Sequence, residues 1–506
     1  MLKRVGRRSL CALLMLLMLS GMLVPASAAK VKGAVKAVQY TMDVKLDAKQ
    51  DQLTEKVTIK VKNDTNQKVK TLVFRNIASS ILDYDRAEYP EKVNLKKSSK
   101  IKSVKAGSKK LKVSYEKDKS VFSVNLGKKA LKPGKTMNVT IQAVTDVPLR
   151  DDRFGYRKTK DGKLYHLGFC YPYLAPNQDG KWNKDPYFDD GESRASGVSN
   201  FKVTFTAPKD YVVASVGTHS TKKGVTTIDA KKVRDFALVA CNFMKKESFQ
   251  ASGITVNNYY LKGKYSGRYR KISRLVATDA IALYTEAVGK YPYKQLDMAP
   301  AIFGMGYGGM EFCGMVMNNA TAYYGEGTIT AKTDPISLME VVSHEIGHQW
   351  FYAAVGNDEY NEGWLDEGFS SYLEKVVFGL EDTESLRYAN TYADPVIDLE
   401  KSRKEDQEML EEAHASTEKS YVNIPVSAYG PDDSYSEREY EYGCMFLREL
   451  RYVMGDKKFG AFLKDYYKRY KLKMATTADV LAAVRRQDKS AAVEKVIGKY
   501  VSKKYL

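Results

Sequence analysis

The stretch SLMEVVSHEIGHQWF, residues 337–351, contains the most informative pattern in this 506-residue chain. His344 and His348 are four residues apart, so on a helix they lie one turn apart on the same face, where both imidazoles can bind one zinc ion. Glu345 is placed to reach a metal-bound water from the side. The chain has only five histidines, which disfavours the alternative of two unrelated surface histidines. The pattern therefore predicts a zinc-binding helix.

A third zinc ligand is expected from the next segment, NEGWLDEGFSSYLEKVVF, residues 361–378. Asp366 and Glu367 are the acidic candidates at its start, and an antiparallel helix after the short loop 355–358 would return Glu367 to the metal. Glu374 lies seven residues further along the same helix face, where it could accept a hydrogen bond from the second ring nitrogen of a zinc-bound histidine. The alternative for Glu367 is a helix-start carboxylate stabilised by the helix dipole.

Two more motifs stand on either side of these helices. The first precedes the zinc helix and reads Gly308, Gly309, Met310, Glu311. The second follows the helices and reads Tyr440, Glu441, Tyr442, Gly443. With these three motifs in this order, the chain resembles the gluzincin zinc aminopeptidases of the membrane alanyl aminopeptidase (aminopeptidase N) family. That family combines H-E-x-x-H and a distant glutamate with a G-x-M-E-N strand and a Y-E-K-G segment.

The resemblance implies one catalytic Zn²⁺ held by His344, His348 and Glu367, with one position left for water. Glu345 would be the general base on that metal-activated water and would pass its proton to the leaving amine. The Tyr440 hydroxyl would help the metal to stabilise the oxyanion of the tetrahedral intermediate. The implied reaction is hydrolysis of the N-terminal peptide bond of peptides.

The resemblance also implies a substrate-binding strand. Its glycines would let a peptide approach as an added strand, and the Glu311 carboxylate would pair with the free α-ammonium group. Three positions depart from the family pattern. Phe312 and Asp366 stand where asparagine is usual, and Tyr442 stands where lysine is usual. Asp366 is expected to add a negative charge beside the metal.

The predicted fold is multidomain. From about residue 40 to 244 the sequence alternates with period two, as where Val57, Ile59 and Val61 interleave with polar residues, which indicates strands with one buried face. After about residue 252 the spacing of apolar residues is helical. We therefore predict an N-terminal all-β domain over 30–252, saddle-like as the resemblance implies. Over 253–506 we predict a mostly helical domain, and the resemblance implies that it is a thermolysin-like α+β zinc peptidase domain.

The first 28 residues are typical of a signal peptide, with a basic start, an apolar run and a small-residue cleavage site before Ala29. The expected location is therefore secreted, extracellular or at the cell surface. The alternative is an uncleaved membrane anchor, because 21 uncharged residues could nearly span a bilayer. Export makes nucleic acid an unsuitable partner for the net charge of +20. The lysine-rich stretch 96–135 either guards solvated strand edges or contacts anionic cell-surface polymers or lipid headgroups.

Two other functions are compatible with a zinc-binding helix. One is a thermolysin-type endopeptidase, which would not need Glu311 as an amine anchor. The other is a non-enzymatic surface-binding protein with structural zinc, which would need neither Glu345 nor Tyr440. The cysteines expected in the exported chain allow three disulfide pairings, among which the sequence does not choose. They are Cys170, Cys241, Cys313 and Cys444.

Overall fold

The computed structural model describes residues 30–88, 98–188, 191, 194–304, 308–324, 335–375, 399–431 and 433–506. The predicted signal peptide at residues 1–28 lies outside these ranges. Within them, no helix has both the length and the apolar character needed to cross a membrane.

An eight-stranded sheet forms the base of the N-terminal part. In spatial order its strands are β16 (Thr218–Lys222), β17 (Val225–Val233), β14 (Ser199–Thr206), β1 (Val35–Asp47), β2 (Gln52–Asn63), β8 (Thr136–Asp146), β4 (Ser99–Ala106) and β5 (Lys109–Leu111). Neighbours are antiparallel except β1 and β14, which are parallel. The predicted alternation is confirmed in β2, where Val57, Ile59 and Val61 are fully buried and Lys60 is exposed.

Two four-stranded sheets and one short hairpin complete this part. The first sheet has the order β15 (Val212–Ser215), β18 (Leu238–Cys241), β10 (Gly162–Leu167) and β9 (Phe154–Thr159). The second has the order β11 (Tyr173–Leu174), β3 (Thr71–Arg75), β7 (Val121–Asn125) and β6 (Val113–Tyr115). The hairpin pairs β12 (Asn177–Gln178) with β13 (Lys181–Trp182), and helix α1 covers Ile77–Glu88.

A five-stranded sheet opens the second part. Its spatial order is β19 (Met244–Ala251), β20 (Ile254–Leu261), β21 (Gln295–Ala301), β23 (Met315–Asn319) and β22 (Gly309–Phe312). Strand β19 lies ahead of the predicted boundary at residue 252, yet it pairs with β20 in this sheet. Alternation reveals that a segment is a strand but not which sheet it joins, so the sequence placed β19 with the preceding strands.

The remainder is mostly helical, as predicted. The helices are α2 (Ser266–Ala287), α3 (Thr321–Tyr324), α4 (Pro335–Gly347), α5 (Glu359–Glu362), α6 (Trp364–Tyr372), α7 (Leu399–Ala415), α8 (Gly443–Met454), α9 (Asp456–Tyr470), α10 (Thr477–Gln487) and α11 (Ala491–Tyr500). A π-helix over Ser436–Tyr442 leads into α8. Strands β24 (Val355–Gly356) and β25 (Lys473–Met474) form a parallel pair. All four cysteines of the described residues are buried thiols rather than disulfides.

Candidate active site

Helix α4 is fixed by its apolar side. Val342 and Ile346 on this helix are fully buried, and α4 packs against α2, α6 and the strands β22 and β23. This packing turns His344 and Glu345 toward a cleft of about 540 Å³, which Gly309 and Tyr440 also line. The helix therefore presents its polar residues to a cavity large enough for part of a peptide.

Three side chains that could hold a metal ion converge at this cleft. Nε2 of His344 lies 3.0 Å from Nε2 of His348, and Oε2 of Glu367 lies 3.2 Å from each of them. Donors bound at about 2.0–2.1 Å around one tetrahedral ion would be about 3.3 Å apart. The two imidazoles and one carboxylate therefore fit the donor chemistry and the size of a zinc site.

The opposite ring nitrogens have partners that fix the orientation of both histidines. Nδ1 of His344 is 2.9 Å from Oε2 of Glu374, and Nδ1 of His348 is 3.3 Å from the main-chain oxygen of Phe351. Since both partners are acceptors, they favour the tautomer with the proton on Nδ1 and turn the Nε2 lone pair toward the cleft. Glu374 thus lies where the sequence placed it, two residues beyond the end of α6.

The pKa values of the two acidic residues on α6 shift in opposite directions. Burial would raise the pKa of Glu367, but the charges and hydrogen bonds of His348 and His344 outweigh it and hold this pKa below its usual value. Burial, followed by repulsion from Glu367 and Glu359, raises the pKa of Asp366 well above its usual value. This shift favours the neutral acid at Asp366, whereas the sequence predicted a negative charge there.

Tyr440 lies beside the three donors. Its hydroxyl donates to Oε1 of Glu367 at 2.6 Å, and its ring is stacked on His344 with centroids 5.6 Å apart. The residue belongs to the π-helix, a wider helical turn that is often found at functional sites. Tyr442, the departure from the family pattern, instead pairs with Glu437.

Strand β22 is the edge strand of the five-stranded sheet in the described part of the chain, and it forms one wall of the cleft. A Cβ added at Gly309 would collide with the Glu345 carboxylate, so a larger residue here would displace that side chain. Met310 and Glu311 are both 4% exposed. One ligand oxygen of Glu311, one of Glu345 and a ring nitrogen of His348 all lie within 4.8 Å of one another. Gly308 also lines the cleft.

An arginine that the sequence did not single out contacts Glu311. Nη1 of Arg194 donates to the main-chain oxygen of Glu311 at 2.9 Å, and Nη2 pairs with Oε1 of the same residue. Phe312, the other departure on this strand, is fully buried, and its ring centroid lies 5.7 Å from the Arg194 guanidinium. Arg194 lies outside any regular element and far from Glu311 in the sequence, so no spacing rule could have identified it.

Comparisons with known proteins indicate one peptidase family. Residues 276–500 match the model of the peptidase family M1 domain. The chain is 27% identical over 206 residues to leucine aminopeptidase 2 of Candida albicans, covering 39% of this chain and 31% of that protein. It is 23% identical over 251 residues to human endoplasmic reticulum aminopeptidase 2, covering 49% and 24% respectively. The matches thus span about a quarter to a third of the length of these curated relatives.

The fold is similar to that of an M1 zinc metallopeptidase from Deinococcus radiodurans, with a TM-score of 0.61 at 16% identity. That match covers 93% of this chain and 94% of the other. A mutant of the Deinococcus enzyme bound to a Tyr-Ser-Ala substrate gives a TM-score of 0.57 at 14% identity, covering 94% and 96%. The likeness confirms the predicted fold class, a β-rich part followed by a mostly helical peptidase part.

The contact between Glu374 and His344 predicts a measurable effect on metal affinity. We expect Glu374→Ala to weaken zinc binding by about 10- to 100-fold, because the His344 ring loses the acceptor that orients it. Glu374→Gln should weaken binding less, since its amide oxygen can still accept the hydrogen bond. Zinc affinity measured by competition with a chromogenic chelator tests this.

A matched control is Glu340→Ala. Glu340 lines the same cleft on α4 but is not part of the cluster of three donors. Equal loss of zinc affinity in the Glu340 and Glu374 variants would assign the effect to the overall charge of the cleft instead.

Proposed function

We propose that this chain, which belongs to peptidase family M1, is a zinc-dependent aminopeptidase that hydrolyses the N-terminal peptide bond of peptides with a free N-terminus. Its family membership is the one that its sequence motifs predicted. One observation carries the proposal. Glu311, Glu345 and His348 lie within 4.8 Å of one another at the wall of the cleft, beside the donor set of His344, His348 and Glu367.

Each residue of the cluster has a separate task. His344, His348 and Glu367 would hold the zinc ion, which would supply a Lewis acid and an activated water. Glu345 accepts the proton of the attacking water and returns it to the leaving amine. Tyr440 presents its hydroxyl beside the metal donors, where it can donate to the oxygen of the tetrahedral intermediate.

Glu311 supports an aminopeptidase rather than a thermolysin-type endopeptidase. Its carboxylate can pair with an α-ammonium group close to Glu345, which places the first peptide bond of a substrate at the metal site. Strand β22, with Gly308, Gly309 and Met310, lies at the sheet edge and can pair with an extended peptide. A non-enzymatic protein with structural zinc would not need Glu345 or Tyr440 at their positions.

The experiment that tests the proposal compares free and blocked amino groups. We expect rapid hydrolysis of aminoacyl arylamides, little hydrolysis of their N-acetylated counterparts and loss of activity with a chelator that is reversed by added zinc. Glu311→Gln should lower kcat/KM for the free-amine substrates by about 100-fold or more, because a hydrogen-bonded ion pair is lost. Equal cleavage of free and acetylated substrates would support the endopeptidase, and no cleavage of either would support the non-enzymatic protein.

The roles of Glu345 and Tyr440 can be separated by two conservative variants. Glu345→Gln should lower kcat by about 10²- to 10⁴-fold, because amide groups cannot act as a base. Tyr440→Phe should lower kcat by about 10²- to 10³-fold with a smaller change in KM, since the lost donor acts in the transition state. Steady-state kinetics and zinc content of each purified variant check this. A Glu345→Gln variant with full activity would exclude the base role, and a change in KM alone would assign Tyr440 to substrate binding.

Export and surface contact are parts of the same proposal. Residues 1–28 have the pattern of a signal peptide, which supports secretion or a place at the cell surface. Exposed lysines at the edge of the eight-stranded sheet offer a basic surface to anionic polymers or lipid headgroups. They are Lys100, Lys102, Lys105, Lys109 and Lys110.

Fractionation of producing cells tests both points. We expect the mature chain to begin at Ala29 and to lie outside the cytoplasm, with a surface-bound fraction that high salt releases, because salt screens exposed charges. Replacement of Lys100, Lys102 and Lys105 by glutamine should reduce this fraction, whereas replacement of the exposed lysines Lys468 and Lys495 on α9 and α11 is the matched control. Cytoplasmic retention with an intact N-terminus would contradict export, and equal release of both variants would contradict the basic surface.

A further inference from the structure

One guanidinium group binds two separate parts of Glu311. Arg194 is 3% exposed, and its Nη1 and Nη2 contact the main-chain oxygen and the carboxylate of Glu311, respectively. The planar fork of an arginine is suited to such a double contact, which a lysine cannot reproduce. Both the end of strand β22 and the side chain on it are therefore held by one group.

Arg194 is itself held from several sides. Its guanidinium lies 3.9 Å from the ring centroid of Tyr352, and its Nε is 3.6 Å from Oε1 of Glu359. The rings of Phe169 and Phe312 each lie 5.7 Å from it. These contacts leave the long side chain little rotational freedom.

The main chain at Tyr352 is unusual in a way that supports this arrangement. Its φ angle is +113°, which is uncommon for a residue other than glycine. Its amide donates to the main-chain oxygen of Val355 at 2.8 Å, and its hydroxyl pairs with Asp235. The tight turn that follows the zinc helix thus places an aromatic ring against Arg194, and strained conformations of this kind persist where neighbouring contacts hold them.

We propose that Arg194 is a positioning residue, which holds the Glu311 carboxylate at the place where it binds the α-ammonium group of a substrate. This proposal rests on the function proposed above. Arg194 comes from the β-rich part of the chain, whereas Glu311 belongs to the five-stranded sheet. The selectivity for a free N-terminus is therefore a joint property of both parts of the fold.

The need for such a residue follows from the charges around Glu311. Glu345 faces Glu311, and Glu367 lies among the metal donors next to them. Like charges at this distance repel, so an unrestrained Glu311 side chain would turn away from the cleft. A displacement of about 1 Å in a bound substrate can lower the reaction rate by about 100-fold. Arg194 offsets the repulsion and fixes one carboxylate oxygen, which leaves the other for the substrate.

A pair of inhibitors isolates the contribution of the amino group. Leucine hydroxamate and 4-methylpentanohydroxamate differ only in the α-amino group, and both present the same metal-binding group. The dissociation constant of 4-methylpentanohydroxamate divided by that of leucine hydroxamate, both measured by calorimetry on the zinc-loaded protein, reports the amine anchor independently of turnover. We expect Arg194→Gln to reduce this ratio by about 10- to 100-fold, the effect of one charged hydrogen bond or more. Arg194→Lys should fall between Arg194→Gln and the native protein.

A double-mutant cycle distinguishes positioning from a general loss of structure. In a Glu311→Gln background, Arg194→Gln should change the ratio by less than about threefold, because the carboxylate it positions is already gone. Arg75→Gln is the matched control, since Arg75 is 1% exposed in the same β-rich part and contacts Asn183 through Nη1. It should lower the melting temperature while leaving the ratio unchanged.

The outcomes separate this inference from the function on which it rests. If Glu311→Gln leaves the ratio unchanged, Glu311 is not the amine anchor and the proposed aminopeptidase site is wrong. If Glu311→Gln brings the ratio close to one and Arg194→Gln leaves it at the native value, only the inference is overturned. An equal effect of Arg194→Gln in both backgrounds also overturns it. Should Arg194→Gln fail to fold, the Arg194→Lys variant decides, and an unaltered ratio there overturns the inference.

Discussion

The crowding of carboxylates around one cleft is the constraint on which the rest of this structure depends. Two like charges about 5 Å apart repel by about 3 kcal/mol at an effective dielectric constant near 20. The acidic side chains buried in this region are Glu311, Glu345, Glu359, Asp366, Glu367, Glu374 and Glu439. They cannot all be ionised without nearby positive charge. The structure reduces the repulsion in three ways: a guanidinium group pairs with some of the carboxylates, imidazoles and a bound metal ion can balance others, and some carboxyl groups are favoured in the neutral form.

Each of these three effects acts on different carboxyl groups. Arg194 contacts Glu311 and Glu359. Burial, with repulsion from its neighbours, favours the neutral acid at Asp366, and burial raises the pKa of Glu439 to about 8 even though Tyr429 donates to it. His348 and His344 hold the pKa of Glu367 below its usual value. A divalent ion at the donor set would add to the positive charge at the point where the carboxylates are closest.

Close helix packing determines where these charges meet. Helix α6 carries Glu367, and helix α8 follows directly on the π-helix that carries Tyr440. A Cβ on Gly443 would lie 2.8 Å from the Cα atom of Gly368, so only glycine at both positions lets the two helices approach this closely. The hydroxyl of Tyr440 reaches Oε1 of Glu367 because of that approach. Two glycines outside the cleft thus control the distance between a metal donor and a proposed oxyanion donor.

Which contacts could be predicted from the sequence depends on how far apart the two residues lie along the chain. His344, His348, Glu367 and Glu374 lie on neighbouring helices, so helical spacing and the resemblance together indicated where they would meet. The contact between Arg194 and Glu311 joins residues 117 positions apart. It depends on how the β-rich part packs on the five-stranded sheet, which no local pattern encodes. The raised pKa of Asp366 was likewise inaccessible, because burial and neighbouring charges shift a pKa away from the usual value of its residue type. The same distinction applies to the proposed reaction. The three donors of the metal site come from two neighbouring helices, whereas the proposed amine anchor Glu311 is held by an arginine from the β-rich part and so requires both parts of the fold.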